Sequence, residues 1–125
     1  MILSADDDPD IRRLIERVLV GAGHRVILAP DGQAALDVAF DDDLDLDLVI
    51  LDIEMPRMRG IDACRKLRDD PRTAHLPVII ASGSLGAPYV DAGAAGATAC
   101  LNKPFSPAQL RDAVERELTA ASARR

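Results

Sequence analysis

Aromatic side chains are nearly missing from this chain: one tyrosine, two phenylalanines and no tryptophan among 125 residues. Phe40, Tyr89 and Phe105 are too few to build base-stacking platforms or to sandwich a flavin. Cysteine is scarce as well. Cys64 and Cys100 stand far apart, with neither CxxC spacing nor paired histidines beside them, which excludes a usual zinc site and argues against a disulfide scaffold. Positive charge is in deficit: 15 Lys and Arg face 21 Asp and Glu, for a formal net charge of −6. A general nucleic-acid binder needs a basic surface to displace counterions, and this balance argues against direct nucleic-acid contact. No apolar run approaches the roughly 18 residues of a membrane span. The opening Met1-Ile2-Leu3, followed by acids, lacks the basic flank of a signal peptide. The expectation is one cytoplasmic domain over residues 1–125, with no membrane insertion. Its 48% apolar content is enough for a packed core at this length.

Five short apolar runs punctuate the sequence at Ile2–Ala5, Val26–Ala29, Leu48–Leu51, Val78–Ala81 and Ala97–Leu101. Leu48-Val49-Ile50-Leu51 and Val78-Ile79-Ile80 are apolar on consecutive residues, which predicts strands covered on both faces, as in a parallel sheet. Helical patterns lie between them. Ile11, Leu14, Ile15, Val18, Leu19 and Ala22 repeat at helical spacing, and Arg12, Arg13, Glu16 and Arg17 take the wet face. Asp8 can cap this helix with Pro9 at its first position, and Gly21 and Gly23 end it. Two middle helices are predicted at Gly32–Phe40 and Gly60–Asp69, the latter turning Ile61, Cys64 and Leu67 inward. A poor one, interrupted by glycine and proline, is predicted around Pro88–Ala94. The last opens with Ser106-Pro107-Ala108-Gln109, a capping box with proline at N1, and buries Leu110, Val114 and Leu118.

Strand and helix thus alternate five times, the pattern of an α/β doubly wound parallel sheet. Right-handed crossovers put every strand C-terminus along one edge, where such folds bind ligands. Strand one ends in Asp6-Asp7-Asp8, strand three in Asp52, strand four in Ser82 and strand five in Lys103. Carboxylates a few ångströms apart repel by about 4 kcal/mol per pair at an effective dielectric near 20. Oxygen ligands that need a compensating cation select a hard one such as Mg2+. A lysine and a hydroxyl facing the same place supply a point charge and a donor for a phosphoryl group. An aspartate beside a metal can itself be the nucleophile. These residues point to metal-assisted phosphoryl chemistry on a carboxylate.

Four segments, in order and at matching separations, carry a family likeness: Ile2-Leu3-Ser4-Ala5-Asp6-Asp7-Asp8; Leu51-Asp52-Ile53-Glu54-Met55-Pro56-Arg57-Met58-Arg59-Gly60; Pro77-Val78-Ile79-Ile80-Ala81-Ser82-Gly83; and Asn102-Lys103-Pro104-Phe105. Over essentially its full length the chain resembles the receiver domain of bacterial two-component response regulators, of the CheY-like kind. The resemblance implies a flavodoxin-like (βα)5 sheet of five parallel strands in order 2-1-3-4-5. It implies that Asp52 accepts a phosphoryl group from the phosphohistidine of a sensor histidine kinase or a histidine phosphotransfer protein. Asp7 and Asp52 would bind Mg2+ directly, helped by the Glu54 backbone carbonyl, with Asp6 acting through water. Lys103 would pair with the phosphoryl oxygens, and Ser82 would be the switch hydroxyl that draws the loop after strand four inward. The region of the first helix often docks the kinase in this family. The product would be a signalling module, not a turnover enzyme, with an unidentified downstream effector and a homodimer left open.

Two features depart from that pattern. The position three before the lysine, usually Tyr or Phe in active receivers, is Cys100, and a thiol cannot sweep the volume of a ring. Glu54 stands two residues after the acceptor, where its carboxylate could reach over the site. Cys64 and Cys100 read as small core hydrophobes, and His24 and His75 as loop residues without a constellation. Lys103-Pro104 reads as a strand-to-helix bend compatible with a cis bond. Asp45-Leu46-Asp47-Leu48-Val49 mimics a phosphatase nucleophile motif, and Asp41, Asp43, Asp45, Asp47 and Asp52 fall at EF-hand spacing. Acids precede the first instead of a strand, and Leu46 occupies the glycine position of the second, so both read as a solvated loop. The competing functional readings are an unphosphorylated pseudo-receiver that only binds partners, supported by Cys100, and a Mg2+-dependent aspartyl phosphatase, which lacks a cap and a general acid.

Overall fold

The computed structural model describes residues 1–83 and 93–123. Its described elements, in order, are β1 (Ile2–Ala5), α1 (Pro9–Gly21), β2 (Val26–Ala29), α2 (Gly32–Ala39), β3 (Leu48–Asp52), α3 (Gly60–Asp69), β4 (Val78–Ser82), β5 (Ala99–Asn102) and α4 (Pro107–Ala123). The predicted helix around Pro88–Ala94 falls mostly outside the described residues, as does most of the predicted switch loop after Ser82.

The five strands form one sheet in the order β2-β1-β3-β4-β5, with every neighbouring pair parallel. Consecutive apolar residues are explained by two cores, one on each face. Val49, Leu51 and Ile53 join Leu3, Val78 and Ile80 beneath α2 and α3. The alternate residues Leu48 and Ile50 join Ile2 and Ile79 beneath α1 and α4. Each face is closed by a helical stripe: Ile15 and Leu19 with Leu110 and Val114 on one side, Ala35 and Leu36 with Ile61, Cys64 and Leu67 on the other.

The predicted caps are in place. The Asp8 carboxylate accepts from the Asp10 N–H at 2.9 Å, and Gly23, with φ +97°, turns the chain past the end of α1. Ser106 and Gln109 exchange reciprocal bonds of 2.8 and 3.1 Å, which completes the capping box. The Lys103-Pro104 peptide is cis.

β3 ends at Asp52, as expected, and the Ile53 N–H still reaches the Ala81 carbonyl at 3.0 Å. Two other boundaries differ from expectation. β5 begins at Ala99 and not at Ala97; just before it, Thr98 donates its N–H to the Val78 carbonyl at 2.9 Å and its hydroxyl also bonds the Val78 main chain. α2 stops at Ala39 with Phe40 as its C-cap.

Candidate functional site

Register brings the strand ends together. Ala5 is level with Leu51 across β1 and β3, Asp52 with Ala81 across β3 and β4, and Ser82 with Asn102 across β4 and β5. The residues that follow or close these rows, Asp6, Asp52, Ser82 and Lys103, therefore leave the sheet at one edge. Asp6, Asp7 and Asp52 bring one carboxylate oxygen each to within 4.8 Å of one another. Lys103 reaches across, its Nζ 2.7 Å from Asp6 Oδ2 and 3.1 Å from Asp52 Oδ1. Asp6, Asp52 and Ser82 are buried, and Asp7 and Glu54 face solvent.

The environment is strongly polarised. Burial, and then the Asp6 charge, push the Asp52 carboxyl up to about 6 against the opposing pull of Lys103 and the Glu54 N–H. Burial disfavours the Lys103 ammonium, but hydrogen bonds to Asp6 and Asp52 outweigh it and its pKa lies above the ordinary value. Among the described residues Lys103 is the one side-chain cation paired with this cluster of acids, which leaves room for more positive charge. The donors are all oxygen, which suits a hard divalent ion such as Mg2+. Both Asp6 oxygens already have protein donors, Lys103 on one and the Asp8 N–H at 2.9 Å on the other.

Several supports escaped the sequence reading. Arg12, assigned there to the wet face, is half-buried and donates to the Asp6 carbonyl at 2.7 Å. Its signal was its place on the first turn of α1, six positions after the strand-end acid Asp6. Asp31 caps α2 through the Ala34 N–H at 2.8 Å and takes two donors from Arg57 in the β3–α3 loop. Its position just before Gly32 was the available hint. His24 contacts Glu115 at 3.1 Å, so it does have a partner on α4. Cys64 is buried, as expected, whereas Cys100 is only half-buried.

The acidic run before β3 lies at the other end of that strand from Asp52. Asp47 there meets the N-terminal ammonium at 2.6 Å, and Leu46 is buried. An EF-hand loop, whose ligands must converge on one ion, is incompatible with that separation. Among the described residues, no helix is long and apolar enough to cross a membrane.

The sheet order and the carboxylate-lined cleft define a flavodoxin-like α/β domain with its site at the carboxyl edge of the strands. A family model, the response regulator receiver domain, matches residues 2–115. The chain belongs to this family, the receiver domains of two-component response regulators. It is 36% identical over 118 residues to the uncharacterized transcriptional regulatory protein YrkP of Bacillus subtilis, covering 94% of this chain and 48% of that protein. It is 30% identical over 115 residues to chemotaxis protein CheY1 of Helicobacter pylori, covering 91% and 93% of the two. The chain spans about half or less of the length of the regulators first matched, such as YrkP and the Caulobacter vibrioides response regulator PleD. Among solved structures, chemotaxis protein CheY4 of Vibrio cholerae superposes with a TM-score of 0.87 at 30% identity, covering 93% of this chain and 96% of that one. The receiver domain of the Pseudomonas aeruginosa sensor histidine kinase PA1611, which holds a magnesium ion in its active-site cleft, gives 0.87 at 28% identity, with 94% and 96% covered.

Proposed function

We propose that this domain is a phosphorylatable switch that takes a phosphoryl group onto Asp52 from the phosphohistidine of a sensor histidine kinase or a histidine phosphotransfer protein. The observation that carries the reading is the buried Asp52 carboxylate, held 3.1 Å from the Lys103 ammonium beside Asp6 and Asp7. A carboxylate oxygen of Asp52 attacks phosphorus, and the phosphorus–nitrogen bond breaks. The leaving imidazole keeps the electron pair and is later protonated by solvent. Asp52 is left as an acyl phosphate.

Asp7 and Asp52, with the Glu54 backbone carbonyl, are the direct Mg2+ ligands in this reading, and Asp6 acts through water because its oxygens are engaged by Lys103 and Asp8. When bound, Mg2+ supplies the positive charge that lets an anionic carboxylate meet an anionic phosphoryl group. Lys103 contributes the second positive charge and turns from Asp52 to a phosphoryl oxygen once the acyl phosphate has formed. The added charge, roughly −1.5 to −2, and three acceptor oxygens draw the Ser82 hydroxyl and the segment after it toward the site. Cys100 cannot sweep the volume of an aromatic ring, so the signal to the downstream effector rests on that segment and not on ring rotation.

The test is to incubate the protein with Mg2+ and a small acyl-phosphate donor and to weigh it intact. One phosphoryl adduct is expected in the wild type and none in Asp52→Ala. A wild type that stays unmodified under these conditions rejects this reading in favour of a pseudo-receiver.

A further inference from the structure

The β3–α3 loop leaves the phosphoacceptor and carries Glu54, and it contains an unusual backbone feature. Arg57 has φ +67°, and the Met58 N–H bonds back to the Pro56 carbonyl at 2.7 Å. An i-to-i+2 bond around a residue with positive φ is a γ-turn of the rare, strained kind. A bulky side chain there carries a backbone strain that glycine would avoid. The arginine is held by its side chain. Its Nε donates to Asp31 Oδ2 at 3.0 Å and its Nη2 bonds the same oxygen.

Asp31 is a firm anchor. It is 4% exposed, and its other oxygen accepts the Ala34 N–H at the start of α2. Its carboxyl is held below the usual carboxylate range, first by that N–H and then by Arg57. The loop is also pressed directly onto α2, since a Cβ on Gly32 would come within 2.5 Å of the Met58 carbonyl oxygen. At its far end, Gly60 donates to the Ile53 carbonyl at 3.2 Å, and a Cβ there would overlap the Asp52 carbonyl. The segment from Ile53 to Arg59 is therefore fixed at Gly60 by close packing and at Arg57 by an ion pair. The ion pair adds a side-chain tether at the strained residue itself, beside the Met58 N–H to Pro56 carbonyl bond and the packing of Met58 against the core.

We infer that Asp31 and Arg57 form a positioning pair that fixes the β3–α3 loop, and with it the Glu54 carbonyl, so as to set the divalent-cation affinity of the Asp7–Asp52 cleft. The inference rests on the reading of that cleft as a Mg2+ site. Neither residue touches the cation or the phosphoryl group. Both act through the main chain, as outer supports of metal sites commonly do. The arrangement explains why an arginine stands where backbone strain favours glycine.

Arg57→Gly is the informative variant, because glycine accepts the positive φ and the fold should keep its melting temperature. Asp31→Asn keeps a capping oxygen and removes the charge. In the metal-free chain, both variants should speed amide hydrogen exchange over residues 53–59 relative to wild type. By calorimetry, both should weaken Mg2+ binding about tenfold, with phosphoryl uptake restored at saturating Mg2+. The double variant should be no worse than either single one. If wild type binds Mg2+ and both variants bind it equally well, the positioning pair is refuted while the cleft reading stands. If wild type binds no Mg2+, both fall together.

Discussion

At the scale of single residues, the burial of Asp52 beside Asp6 carries a cost in stability. The Asp52 carboxyl sits near 6 because it is buried beside Asp6. A folded-state value above the ordinary 3.8 means that the folded chain holds a proton between those limits which the unfolded chain releases. Stability therefore falls as pH rises from about 4 to about 6 and stays reduced above that. In metal-free buffer, Asp52→Asn should stabilise the protein at pH 7 by about 1 kcal/mol, after discounting for residual solvent screening. Denaturant melts should show the gain vanishing near pH 4. A variant equally stable or weaker at pH 7 would contradict the raised value. Ser4 offers a second residue-scale test. It is fully buried, and its hydroxyl has no hydrogen-bond partner among the described residues. It lies on the face of β1 that Ile2 contributes to the core under α1 and α4. An orphaned buried hydroxyl costs about 1–3 kcal/mol, so Ser4→Ala should raise stability by about 1 kcal/mol. A loss on the same melt would mean that the hydroxyl has a partner, such as an ordered water.

At the scale of elements, what could be read from the sequence was local. Leu48–Leu51 and Val78–Ile80 announce two-faced strands because each residue's neighbour faces the opposite core. Asp8 and Ser106 announce helix starts because their partners lie two and three residues away. Contacts that close between distant segments left no such trace. Arg57 meets Asp31 across 26 positions, and its positive φ is a conformation that no arginine advertises. Phe40 fits the apolar pattern of α2, yet it caps the helix and lies under the Arg72 guanidinium, 5.3 Å from the ring centre. The Asp6–Lys103 contact spans 97 positions and became legible only once the alternation of elements had fixed a sheet edge. The role of Gly60 is of this long-range kind. α3 starts so close to β3 that a Cβ at Gly60 would overlap the Asp52 carbonyl. Gly60→Ala should displace either the helix or Asp52, costing about 2 kcal/mol or more in stability. It should also slow phosphoryl uptake beyond what the melting temperature explains, because a small displacement of a reacting group is expensive. Uptake at the wild-type rate would show that the helix can retreat without moving Asp52.

At the scale of the whole molecule, residues from Asp6 to Lys103 contribute to one cleft, so ligand binding and global folding must be coupled. An acid cluster with a single ammonium, in a chain of net charge −6, gains from any added cation. A ligand that binds only the folded state stabilises it by mass action, about 2.7 kcal/mol at one hundred times its dissociation constant. Mg2+ at such a concentration should raise the melting temperature by about 10 °C near neutral pH. Asp52 must be ionised to ligate, and its carboxyl titrates near 6. Each pH unit below that value should weaken the apparent affinity about tenfold. Thermal melts with and without Mg2+ from pH 8 to pH 5 should therefore converge toward the acid end, and Asp52→Asn should remove most of the Mg2+ shift throughout. A Mg2+ increment that holds steady across that range, or survives in Asp52→Asn, would place the cation somewhere other than this cleft. The raised carboxyl and the metal would then be unconnected, and the link between the burial of Asp52 and its chemistry would be broken.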